Sequence, residues 1–351
     1  MTSKSPPARP LGPYAPFTTL LALGFCACGA DDARVVTHIE DRAVVMFDRP
    51  LCRDDIALIE ETIAHVEQSL DVKVEVPIEI AIWNRYANVA DHCGEGPSGC
   101  YTNGEIHTLW QALEHEIVHA VAAPLGRPEP LWTEGIAEAL SNRTRVGHET
   151  VDAQLGLEDS RQVNYSTAGH FTRWLLEEYG VDGLRALARE RSFEDAYGLN
   201  LTDTIADYEA RAPWSYPHWN PCRGQALDAS PANVWVDDIA VDCAAPWSST
   251  MYNSGPTVVR TLDIEQPGTY RLFITGATMV GALACQIDVL PDRPDDDMAG
   301  DIIRESTRDL PTFFVSDELY EIVLKPGRLQ FSFTVEDEAA TVGFELRRIG
   351  S

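Results

Sequence analysis

An α+β domain followed by an all-β sandwich domain is the fold class this sequence predicts, and three observations predict it. Apolar residues recur at helical spacing through much of residues 53–211, with a few strand-like runs among them. A proline- and aromatic-rich stretch, "APWSYPHWNPC" at 212–222, then interrupts both periods. Beyond it come short alternating runs separated by turn residues. The expected division is a signal segment at 1–28, the α+β domain at 29–213 and the β-sandwich at 214–351.

The elements follow in chain order. Lys4 and Arg9 precede an apolar run, "PFTTLLALGF", and then "CACGADD". The run is too short to span a bilayer and suits the core of an export signal. Its ending resembles a bacterial lipoprotein signal, with Ala27 before a Cys28 that would carry the lipid; Cys26 departs from the usual small or hydroxyl residue. A plain secretory signal cleaved nearby is the other reading, and both export the protein to the cell envelope or beyond. A lipidated Cys28 would anchor the chain to a membrane, as in an outer-membrane lipoprotein. Export makes the six remaining cysteines disulfide candidates. Cys93 and Cys100 flank "CGEGPSGC" and form the expected local pair, whereas Cys52, Cys222, Cys243 and Cys285 cannot be paired from sequence. None has the close paired spacing of a structural zinc site.

After a polar tether at 29–33, "RVVTHIEDRAVVMFD" reads as one or two strands. Ile56, Ile59, Ile63, Val66 and Leu70 mark an amphipathic helix, on which His65 reads as a surface or boundary residue. "VPIEIAIW" reads as a strand, and a short extended stretch is expected around Ile106. From Trp110 the pattern is helical until Pro124, and a second helix starts near Leu131. A third covers "YSTAGHFTRWLLEEY" and stops at Gly180, with shorter helices to about Arg211. In the second half "TVVRTLDIE", "TYRLFITG", "LACQIDVL", "YEIVLKP", "RLQFSFTVE" and "TVGFELRRI" read as strands.

Composition limits the function classes. With 44% hydrophobic and 9% aromatic residues the chain can build cores, and its net charge of −28 argues against nucleic-acid binding. The chemistry concentrates in "WQALEHEIVHAVAAPLGRPEPLWTEGIAEAL" at 110–140. His115 and His119 are four apart, so a helix stacks them on one face, where two imidazoles can bind one Zn²⁺. Glu116 lies one residue round, off the ligand line, in the position of a general base for a zinc-activated water. A chance H-E-x-x-H occurs in roughly 2% of chains of this composition, so it needs support from the flanking sequence. A catalytic zinc takes three protein ligands, and His₂Glu is an established set. The turn "PLGRPEP" can fold a second helix back so that Glu134 completes it. Glu138, one helical turn later, can accept a hydrogen bond from a ligand imidazole or can be a solvated surface acid.

"HEIVHA" followed by "LWTEGIAEAL" resembles the gluzincin metalloproteases, the peptidase MA-like branch. That resemblance implies a zincin-like fold for the α+β domain, His115, His119 and Glu134 as zinc ligands, and Glu116 as general base and acid. The metzincin pattern is excluded, since Ala122 and Leu125 stand where it needs Gly and His. The likeness extends through "YSTAGHFTRWLLEEYG" and "SFEDAYGLNLTDTIADYEA", covering roughly residues 34–212, with its sharp motif confined to 110–140. Gluzincins use a downstream Tyr or His to stabilise the oxyanion, which makes Tyr165 the first candidate and His170 the second.

Weaker candidates are His107, read as structural, and the acidic run Asp292, Asp295, Asp296, Asp297 and Asp301. That run fails the EF-hand pattern, with Ala299 before Gly300 and Ser306 at position twelve, and reads as a solvated loop. The expected function is an exported zinc metallopeptidase, a hydrolase acting on a peptide or protein substrate. The alternatives are a binding lipoprotein with a non-hydrolytic zinc site, against which the intact Glu116 argues, and a zinc hydrolase of a non-peptide bond.

Overall fold

A computed structural model of the chain describes residues 34–141, 144–145, 147, 149–220, 222–228, 230, 233–245, 247–249, 255–284, 313–314, 316–336 and 339–350. The signal segment with Cys28, the acidic run at 292–301, Cys285 and most of "LACQIDVL" lie outside those residues. The described chain from Arg34 onward is one compact unit of mixed α and β structure. No helix among the described residues is long and apolar enough to cross a membrane.

The chain opens with the hairpin β1 (Val35–Ile39) and β2 (Ala43–Phe47), then α1 (Arg53–Leu70) and β3 (Ile78–Ile82). Ile59, Ile63, Val66 and Leu70 line the buried face of α1. Next come α2 (Tyr86–Cys93), the hairpin β4 (Gly99–Thr102) and β5 (Glu105–Thr108), then α3 (Leu113–Ala122) and α4 (Pro130–Ser141). These strands form one sheet in the order β1-β2-β3-β5-β4, with parallel pairs β2/β3 and β3/β5. The sheet therefore ends on β4, and among the described residues no strand pairs with the outer edge of β4. Ile80, Ile106, Ile59, Leu113 and Ile117 meet between the sheet and its helices in one apolar cluster.

A short strand β6 (Thr144–Arg145) precedes α5 (Tyr165–Tyr179), α6 (Val181–Ala188), α7 (Phe193–Tyr197) and α8 (Leu201–Arg211). Their apolar faces close around Trp132, Phe171 and Trp174. The strand β7 (Ser215–Tyr216) then pairs back onto β6, so the chain still packs on the first half just after α8 ends.

The second half is built from strands: β8 (Gln225–Ala226), β9 (Val234–Asp242), β10 (Ser248–Ser249), β11 (Thr257–Ile264), β12 (Gly268–Thr275), β13 (Met279–Ala284), β14 (Phe313–Phe314), β15 (Leu319–Leu324), β16 (Gly327–Thr334) and β17 (Ala339–Gly350). One sheet runs β10-β11-β16-β13-β14, with β8 added beside β11, and the other runs β15-β12-β17-β9. Inward residues of both sheets, among them Phe331, Phe333, Tyr270 and Phe344, share one apolar cluster.

The two halves are fastened at the start of α1. Cys52 is disulfide-bonded to Cys243, 191 residues away. The Asp55 carboxylate accepts the Cys52 N–H at 2.9 Å and the Ser249 hydroxyl at 2.6 Å, and Arg223 pairs with Asp54 and Glu61 at 2.9 Å. Cross-linking so distant a pair removes many conformations from the unfolded chain. Cys52→Ser with Cys243→Ser is expected to cost about 2–4 kcal/mol in chemical denaturation. An unchanged midpoint would mean that the buried polar contacts hold the joint without the bond.

Candidate metal centre

Leu113, Ile117 and Val121 turn one face of α3 into the core and leave the adjoining face to His115, Glu116 and His119. The helix ends because Pro124 follows, in a single 3-10 turn at Ala123–Leu125. Gly126, at φ 137°, then reverses the chain in a conformation few other residues adopt. The α4 helix starts at Pro130 and returns alongside α3. Gly135 sets how close α4 comes to α5: a Cβ there would lie 2.2 Å from Thr172 Oγ1 and 2.9 Å from the Ala168 carbonyl.

This hairpin brings three donors together. His115 Nε2 lies 3.0 Å from His119 Nε2 and 3.2 Å from Glu134 Oε2, and His119 Nε2 lies 3.3 Å from the same oxygen. Among the described residues His115, His119 and Glu134 are the one group of three whose donor atoms converge in this way. Zinc bonds of about 2.0–2.2 Å at tetrahedral angles separate their donors by about 3.3–3.6 Å, so the spacing fits that ion with a slight opening. Glu138 Oε1 sits 2.8 Å from His115 Nδ1, and its negative charge favours the ring proton on that nitrogen. The Nε2 lone pair of His115 then faces a carboxylate oxygen and a second imidazole, an arrangement that repels unless a cation joins them.

Without a metal, a proton does so. Burial opposes charge on His115, but the carboxylates of Glu134 and Glu138 outweigh it and raise its pKa to about 10. Burial likewise opposes charge on Glu134, but hydrogen bonds from His115 and His119 hold its pKa down at about 2. A zinc ion must displace that proton, since only neutral imidazole ligates.

Glu116 is 5% exposed, and burial raises its pKa against the opposing pull of His115 and His119. Its carboxylate lies against Gly99 of the edge strand. Both lobes of the adjoining cleft, the larger about 790 Å³, are bounded by His115, Glu116, Gly99 and Tyr165. That volume is in the range of ligand sites.

Tyr165 begins α5. Asn164 caps that helix by accepting the Thr167 N–H at 3.0 Å, and its own N–H donates to Gln154 Oε1 at 2.7 Å. So held, the Tyr165 ring stacks on His115 at 5.5 Å. Burial and then the nearby carboxylates push its pKa up, which keeps the proton on the phenol.

His170 lies elsewhere. It is fully buried, with Nδ1 2.8 Å from the Tyr208 hydroxyl. Burial lowers its pKa from 6.5 to about 4, against a backbone contact from Pro213 that raises it. Folded His170 stays neutral where the unfolded chain takes up a proton. Its stabilising share is complete above pH 6.5 and declines by about 3 kcal/mol as pH falls towards about 4. Denaturation across that window should show the loss, and His170→Gln should flatten it; an equal slope in the variant would place the acid sensitivity elsewhere.

His107 is on β5 and stacks on His92 at 3.9 Å, with Glu105 3.3 Å from its Nε2. His65 is half-buried and stacks on Trp219 at 4.2 Å. Cys93 and Cys100 are disulfide-bonded and brace the loop that leads into β4.

Sequence reasoning missed β4, and with it Gly99. The available signal was Asn103-Gly104, whose φ values of 52° and 91° make the tight β4–β5 turn. Arg161, at the cleft rim, had no signal of its own. No protein family and no curated protein sequence matches this chain.

Proposed function

We propose that the chain is an exported zinc-dependent peptidase of the gluzincin kind, with a zincin-like catalytic domain and a β-sandwich beside it. One observation carries the reading. A buried carboxylate, Glu116, lies next to a three-donor cluster without joining it, and both border a cleft. A site that only stored a metal has no use for that acid. His115, His119 and Glu134 would hold the zinc, leaving the fourth position open to the cleft.

When bound, zinc supplies Lewis acidity and makes a nearby water acidic enough to attack at neutral pH. Glu116 accepts the proton of the attacking water and passes it to the leaving nitrogen. Its desolvated setting suits this work, because burial raises the affinity of the carboxylate for a proton. The Tyr165 hydroxyl donates to the oxyanion that forms on the carbonyl. Glu138 keeps the His115 ring oriented through Nδ1. The outer edge of β4, on which no described strand pairs, can take an extended substrate segment as an added strand, which favours a peptide over a compact small molecule.

Export fits the disulfide-bonded state of Cys52, Cys93, Cys100, Cys222 and Cys243. The lipid anchor at Cys28 stays part of the proposal. The test is digestion of a broad peptide library by the zinc-loaded chain, followed by mass spectrometry. New peptides that vanish with chelator and return with added zinc are expected; a zinc-loaded chain that cuts no member would end the peptidase reading.

A further inference from the structure

Building on that reading, we propose that Gly99 is a positioning residue for Glu116: the missing side chain on β4 lets the base lie against the edge strand and face the cleft. A Cβ at Gly99 would lie 2.8 Å from both Cγ and Oε1 of Glu116, and 2.6 Å from Thr108 Oγ1. Comfortable contacts between carbon atoms fall at about 3.5–4.0 Å, so a methyl group here collides with the base itself.

Backbone conformation does not require this glycine. Gly94, Gly96 and Gly104, on either side of it, adopt positive φ, but Gly99 does not. It lies in regular antiparallel pairing, opposite Thr108. Any residue could take its conformation, so the demand is for space. The space belongs to Glu116, which is only 5% exposed and borders the cleft in both lobes. A carboxylate pushed off Gly99 has little room except the volume that water and substrate need. The side-chain-free position thus sets the reach of the base, although Gly99 itself donates nothing to the reaction.

Thr108 complicates the direct substitution, so the comparison is made in full-length Thr108→Ala protein. The Thr108 hydroxyl donates to the Leu109 carbonyl at 2.8 Å, and its removal leaves Glu116 as the nearest obstacle. Adding Gly99→Ala is expected to lower kcat by about 10²-fold, the loss that a 1 Å misplacement can cause, with KM and zinc affinity within about threefold. Damage to the fold would instead lower zinc affinity together with kcat.

A second readout needs no activity. Gly99→Ala should lower Tm by about 2–4 °C in Thr108→Ala protein. The drop should be less than half as large once Glu116→Ala has made room, because the two sites are coupled by contact. Equal Tm losses in the two backgrounds would overturn the proposal, as would an unchanged kcat in a chain that cleaves peptides. A zinc-loaded wild type that cuts nothing would sink the peptidase reading instead, and the Tm comparison would still decide whether Gly99 and Glu116 share this space.

Discussion

Glu116→Gln is expected to bind zinc as the wild type does and to lose about 10²–10⁴-fold in kcat/KM, the usual share of a general base. The amide has nearly the shape of the carboxylate but cannot accept a proton from water. Because Glu116 is off the ligand set, the three converging donors are untouched. Removing its charge also relieves a carboxylate held in a buried setting, so stability should rise or stay constant. Metal content, Tm and peptide cleavage measured on one preparation separate these effects. Zinc retained with cleavage near wild type would take Glu116 out of the chemistry; zinc lost would make it a ligand.

Glu134→Ala is expected to be the most damaging change to the metal centre. Altering an outer partner of a ligand costs about 10–100-fold in metal affinity, and that is the range expected for Glu138→Gln. Loss of Glu134 should exceed it, because a donor is removed from a set of three and two imidazoles are left to hold the ion. The order Glu134→Ala, then Glu138→Gln, then wild type in zinc affinity follows from the geometry, with Glu138 against His115 Nδ1 and outside the three converging donors. Competition against a chromophoric chelator measures it. Equal affinity in Glu134→Ala and wild type would remove this carboxylate from the ligand set.

Much of the site could be read in the sequence because its determinants are local. The i, i+4 spacing of His115 and His119 needs only a helix, and Pro124 with Gly126 forces the turn that returns Glu134. Gly180 stops α5 as expected, and the Asn164 cap places Tyr165 at its start. The unread parts depend on contacts between distant residues. No rule of spacing pairs Cys52 with Cys243, or places Gly99 against Glu116. The strand β9 was hidden by Asp237, which takes an inward position between Trp235 and Ile239 and faces the buried Arg260 at 3.6 Å. The helix α2 offers one fully buried side chain, Val89, too little to mark a helical period. The strand β4 was absorbed into the disulfide loop, although its partner β5 was expected around Ile106.

The most direct measurement is digestion of a peptide library in ¹⁸O-labelled water by the zinc-loaded full chain, with chelated protein beside it. Hydrolysis by an attacking water places one heavy oxygen in each new carboxyl terminus, and those termini should be absent from the chelated sample. A chain that holds one zinc at His115, His119 and Glu134 yet creates no labelled termini would contradict the account.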